Sequence, residues 1–103
     1  MKRVIRTNNR GKLQYNIRQN EFYIEFSNVQ FTLPMDEYLK LEQQLKEMLV
    51  GESKFNIKIK VPIRFVGITF VLNYEDFLSL LDLFGIQSEK LMSFKLKINY
   101  SMN

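Results

Sequence analysis

Two pairs of adjacent carboxylates, Asp36-Glu37 and Glu75-Asp76, are the side chains whose spacing comes nearest to acid–base chemistry. That chemistry needs two carboxyl groups in different environments facing one cleft. Neighbours at a solvated helix start do not supply it, and both pairs fall where a helix dipole favours negative charge. Ser27, Ser53, Ser79, Ser88, Ser93 and Ser101 have no histidine to activate them, and no GxSxG or SxxK context surrounds them. The chain of 103 residues lacks cysteine as well as histidine, which removes disulfides, thiolate metal sites and thiol nucleophiles. Its 4 glycines are scattered, so no phosphate-cradling loop forms, and no DxDxDG-like run offers oxygen ligands. The expectation is a protein that is not an enzyme, with no cofactor and no metal.

Length and composition suit one domain over residues 1–103, with 46% apolar residues and enough chain to bury a core without staples. No apolar run approaches the roughly 20 residues of a membrane-spanning helix. The start, Met1-Lys2-Arg3-Val4-Ile5-Arg6, has charges but no apolar segment behind them, unlike a secretory signal. The expected location is therefore cytoplasmic, and the sequon at Asn99-Tyr100-Ser101 reads as coincidence.

The elements that must position any site come from an internal duplication. Residues 24–45 (IEFSNVQFTLPMDEYLKLEQQL) and 63–84 (IRFVGITFVLNYEDFLSLLDLF) align without gaps and share six identities. Ser27-Asn28 matches Val66-Gly67, and Asn and Gly suit the positive φ of two-residue hairpin turns. Phe22, Ile24, Phe26, Val29, Phe31 and Leu33 then line one face of the first hairpin. Val61, Ile63, Phe65, Ile68, Phe70 and Leu72 line that of the second. A helix follows each hairpin, entered at Pro34 or Asn73, begun by the carboxylates and closed at Gly51 or Gly85. Met35, Tyr38, Leu41, Leu45, Met48 and Leu49 form one stripe of the first helix.

Upstream strands are expected at 12–18 and 54–60, with a change of linking geometry near Val61-Pro62, since Pro62 marks a strand end, a bulge or an edge. A short strand over 2–7 and another over 93–100 complete the pattern. The expected fold is α+β: two pseudo-repeated β-β-β-α units (12–50 and 54–85) with terminal strands, mostly antiparallel sheet and two helices.

Two surfaces stand out. Tyr74, Phe77, Leu78, Leu80, Leu81 and Phe84 make the second helix apolar over too wide an arc for one stripe. Contact with a second copy or a protein partner is therefore expected there or at a sheet edge. The other surface is electrostatic. Net charge is +4 overall, but residues 34–49 carry −2 and 73–92 carry −3, leaving +9 elsewhere. Lys54, Lys58, Lys60, Arg64, Lys95 and Lys97 occupy polar strand positions and offer an alternative nucleic-acid-binding face. Tyr23 is the main outward aromatic for base stacking. Basic residues also blunt exposed edges against aggregation.

Gly11-Lys12-Leu13-Gln14-Tyr15-Asn16, Phe26-Ser27-Asn28-Val29 and Leu33-Pro34-Met35-Asp36-Glu37-Tyr38 together resemble a family of small uncharacterised Bacteroidetes proteins. That family shows a CxxC turn, an F-x-N-hydrophobic hairpin and a helix with an acidic start. Here the turn reads Asn16-Ile17-Arg18-Gln19, so no metal or redox role carries over. The resemblance implies the fold type and no activity.

Overall fold

Alternating apolar and polar residues build an antiparallel meander of four strands, β1 (Lys2–Asn8), β2 (Gly11–Asn16), β3 (Glu21–Phe26) and β4 (Val29–Pro34), in that spatial order. A computed structural model describes residues 2–51 and 58–86 of the chain. Within them follow α1 (Met35–Gly51), the hairpin β5 (Ile59–Ile63) and β6 (Ile68–Leu72), and α2 (Tyr74–Leu83). The fold is α+β with antiparallel sheets, and a hairpin leads into a helix twice. The strand expected over 93–100 lies outside the described residues, as does most of 54–60.

The first turn forms as its residues require. Ser27 and Asn28 have φ of 51° and 67°, the pair of left-handed residues of a type I′ turn, whose twist matches the flanking strands. Ile24 then faces Phe31 and Phe22 faces Leu33, so every apolar residue of the pair reaches one side. Leu13 joins that side opposite Ile24. Gly11 permits the close approach of β2 to β3: a Cβ there would stand 2.0 Å from the Glu25 carbonyl oxygen.

The second hairpin departs from the duplication. Ile63 pairs with Ile68 and Val61 with Phe70, so four residues form the connection instead of two. The Ile63 carbonyl accepts from the backbone N–H groups of Val66 and Gly67. The gapless alignment would place Ile63 opposite Phe70; the register is displaced by two residues, which keeps the same face inward. Phe65, expected in the core, is thereby carried into the turn and is 55% exposed. Pro62 lies within β5, an edge strand of the two-stranded sheet among the described residues, which is one of the places a proline marks. Ile59, Val61 and Ile63 are all buried along one strand, and the Pro62 carbonyl accepts from the Gln44 side chain of α1 at 3.1 Å.

Both helices and the β5–β6 hairpin close over the apolar side of the large sheet. Tyr38, Leu41, Leu45 and Leu49 are the buried stripe of α1, with Met35 and Met48 packed against it. Phe70 meets Phe26 edge-on at 5.6 Å between ring centroids. An aromatic column runs through the middle of this core. Tyr15 leans on Phe22, Phe22 stacks on Tyr38 at 3.8 Å and 13°, and Tyr38 stacks on Phe84 at 5.1 Å and 11°. Each such pair adds roughly 0.5–1.5 kcal/mol beyond area burial, and the column ties β2 and β3 to both helices.

Helix α2 is framed by its own ends. The Asn73 side chain accepts from the Asp76 backbone N–H at 2.8 Å, an N-cap worth about 1 kcal/mol. At the other end Gly85 has φ of 73°; its N–H donates to the Asp82 carbonyl and that of Ile86 to the Leu81 carbonyl. This pair of bonds is a Schellman closure, with buried Ile86 supplying its apolar contact.

Two measurements follow from this packing. Gly11→Ala meets a backbone oxygen that no side-chain rotation can move aside, so the urea midpoint of unfolding should fall by the equivalent of about 2–3 kcal/mol. Burial, helped by Glu42 and opposed by Arg6, pushes the Tyr38 hydroxyl up to about 12 from its ordinary value of 10.0. Between those values the unfolded chain gives up this proton while the folded chain holds it, so stability is full below pH 10 and declines toward pH 12. Tyr38→Phe should remove that component, on the order of 2–3 kcal/mol, in denaturation curves compared with wild type at pH 9 and 12.

Candidate functional site

The surface most open to a partner is set by what the interior has already consumed. Phe77, Leu78, Leu80, Leu81 and Phe84 are all buried, and Tyr74 is half-buried against the core. The broad apolar surface of α2 therefore closes within this chain, and the expectation that these residues meet a partner is corrected. The reason lies in how the strands deliver polar groups to the helix. Asp76, Ser79 and Asp82 recur every three residues and form the polar stripe of α2. The start of the sheet answers each of them.

Asn8 does most of this. Its side-chain amide donates to the Ser79 carbonyl at 3.0 Å and to Asp82 Oδ2 at 3.3 Å. Its Oδ1 accepts from the backbone N–H groups of Arg10 and Gly11, each at 2.9 Å, which fixes the β1–β2 turn. The Arg10 guanidinium pairs with Asp76 near the helix start. At the far end the Arg6 guanidinium lies against Gly85, where an added Cβ would stand 2.4 Å from its central carbon. A cation there complements the negative end of the helix dipole. Asn8 was not recognised from sequence: its partners lie 71 and 74 residues away, and no local pattern signals them.

Three of the six basic residues expected to form a strand face fall among the described residues. Lys58 and Lys60 are exposed beside and within β5, and Arg64 is exposed in the turn. Lys54, Lys95 and Lys97 lie outside the described residues. Arg64 borders a groove of about 150 Å³ between α1 and β5 whose rim also carries Glu37 and Lys40, with Leu33, Leu41, Ile63 and Phe65 below. This mixed rim has no sign to offer a polyanion.

Tyr23 does face outward as expected, on the side of the large sheet away from Leu13 and Ile24. It sits in a shallow concavity of about 540 Å³ with Lys2, Lys12, Gln14, Glu25, Gln30 and Thr32. The Lys2 ammonium caps its ring at 4.0 Å, and Glu25 accepts from Gln30 at 2.8 Å. The ring is thus already engaged, and Glu25 opposes the lysines.

The β1 edge differs from both grooves. Among the described residues β1 ends the sheet, and its backbone pairs with β2 on one side alone. Lys2 through Thr7 are exposed without interruption, with Val4 at 52% and Ile5 at 40%. The register shifts between Val4 and Arg6, making Ile5 a bulge. Residues 2–18 contain six basic side chains and no acidic one. Arg6 and Arg10 serve α2, while Arg3, Lys12 and Arg18 have no ion-pair partner among the described residues.

No protein family, curated protein or solved structure matches the chain. Among the described residues no three His, Cys, Asp or Glu side chains are grouped to hold a metal ion, and no helix is long and apolar enough to cross a membrane.

Asn8→Ala should cost about 2–3 kcal/mol of unfolding free energy, because it removes four hydrogen bonds and strips a donor from the half-buried Ser79 carbonyl. Thermal unfolding followed by circular dichroism checks this; a loss below about 0.5 kcal/mol would remove Asn8 from its linking role.

Proposed function

We propose that the chain is a non-enzymatic protein-interaction module whose docking element is the free side of β1. The observation that carries this reading is an end strand of 7 residues, six of them exposed in succession, bearing two exposed aliphatic side chains. Unpaired strand edges add another chain's strand through main-chain hydrogen bonds, and the flanking side chains choose which. The partner is another protein or a second copy of this one.

The same reading explains why the chain needs no cleft. Its carboxylate pairs stand at helix starts, where Glu37 meets Lys40 and Asp76 meets Arg10. Both are tied into structural roles.

Hydrogen exchange of the amides of residues 2–8, combined with light scattering on a size-exclusion column, tests the proposal. Their exchange should slow when a partner or a second copy binds. Val4→Asn/Ile5→Asn should abolish that slowing while leaving the monomer's melting temperature within a few degrees, as exposed positions allow. Binding that leaves these amides unprotected would overturn the proposal.

A further inference from the structure

We infer that the occupant of the β1 edge is an extended acidic segment of another protein and not a second copy of this chain. The inference rests on the proposed function and adds the chemistry of its partner.

Charge decides between the two occupants. Pairing β1 with its own copy sets side by side two strands that each carry Lys2, Arg3 and Arg6 and no acidic residue, and like charges across a strand pair are destabilising. The hairpin over residues 2–18 contributes six positive side chains and no negative one; of the six, Arg10 is paired with Asp76, and Lys2 and Lys12 share the outer concavity with Glu25. The first acidic residue in sequence, Glu21, lies on β3, two strands away. Arg3 stands opposite Tyr15 and Lys2 opposite Asn16, so neither has an anionic neighbour across the β1–β2 ladder.

A segment alternating carboxylates with aliphatic residues satisfies both features of the edge. Main-chain groups continue the ladder, carboxylates on one face of the added strand approach Arg3, and aliphatic side chains on its other face reach Val4. The bulge at Ile5 interrupts the ladder between Val4 and Arg6, so the added strand is a short one. The same positive charge that excludes a second copy attracts this partner, so attraction and exclusion share one cause.

The test titrates the isotopically labelled full chain with three probes: a capped octapeptide alternating Glu and Val, its Lys–Val counterpart, and an oligothymidine of eight nucleotides. The Glu–Val peptide should shift and protect the amides of residues 2–8. Its affinity should fall at least tenfold between 20 mM and 500 mM salt, and at least fivefold with Arg3→Glu. The Lys–Val peptide should not bind. Equal binding of the two peptides would overturn the charge argument, and tighter binding of oligothymidine at the same amides would assign the edge to nucleic acid. Protection of residues 2–8 that grows with protein concentration, without peptide binding, would overturn the acidic partner and leave the edge as the docking element. No perturbation of residues 2–8 by any probe or concentration would overturn both.

Discussion

A helix that is apolar on nearly every side has to be surrounded, and the enclosure of α2 is the constraint on which the rest of this molecule turns. The large sheet supplies one wall, β6 another, and Tyr38 and Phe84 stack against each other at the end of the helix. What remains is a narrow polar stripe, Asp76, Ser79 and Asp82. Burying it without partners would cost several kcal/mol. Arg10 and Asn8 answer it from the first turn of the sheet, so the first ten residues close a helix that begins more than sixty residues later. The surface Arg10–Asp76 pair adds little by itself; the half-buried carbonyl of Ser79 gives Asn8 its importance.

That enclosure decides what the outside can do. With α2 hidden and α1 turning its apolar stripe inward, the large exposed apolar side chains of the helices among the described residues are Leu39 and Val50 of α1. The opposite side of the sheet is polar and balanced, with Lys2 occupying the Tyr23 ring. The side of β1 facing away from β2 is where main-chain hydrogen-bonding capacity, aliphatic side chains and charge of one sign coincide. The proposed docking element is thus the strand that also holds the helix. Asn8 and Arg6 point toward α2, while Lys2, Val4 and Thr7 fall on the outer side, opposite Asn16, Gln14 and Lys12.

The sequence made local structure legible wherever a residue type answers a local demand. Ser27-Asn28 announces a type I′ turn, Asn73 a cap, Gly85 a Schellman closure and the spacing from Tyr38 to Leu49 a buried stripe, and each is present. The second turn departs from expectation because the gapless alignment carries over the two-residue connection of the first hairpin. Val66-Gly67 cannot reproduce it: in the first turn both central residues have positive φ, a conformation a β-branched valine resists. The chain instead spends four residues and expels Phe65. The enclosure of α2 was illegible for a different reason. Its polar stripe is visible in sequence, but the groups that satisfy it come from the opposite end of the chain, and neither Asn8 nor Arg10 differs locally from an ordinary turn residue.

An open strand edge is hazardous for any protein, and β1 carries two protections at once. Its bulge breaks the ladder at Ile5, and its charges share one sign; both are recognised ways of stopping edges from adding to one another. The two act differently on a foreign strand. A bulge shortens the available ladder for any partner, whereas positive charge penalises a basic or identical strand and favours an acidic one. Because these side chains are solvated, the favourable term is modest and fades as salt shortens the screening length to about 8 Å near physiological strength. An interaction built this way is selective and reversible, and the main-chain bonds that give it register are the same for every sequence that the charges admit.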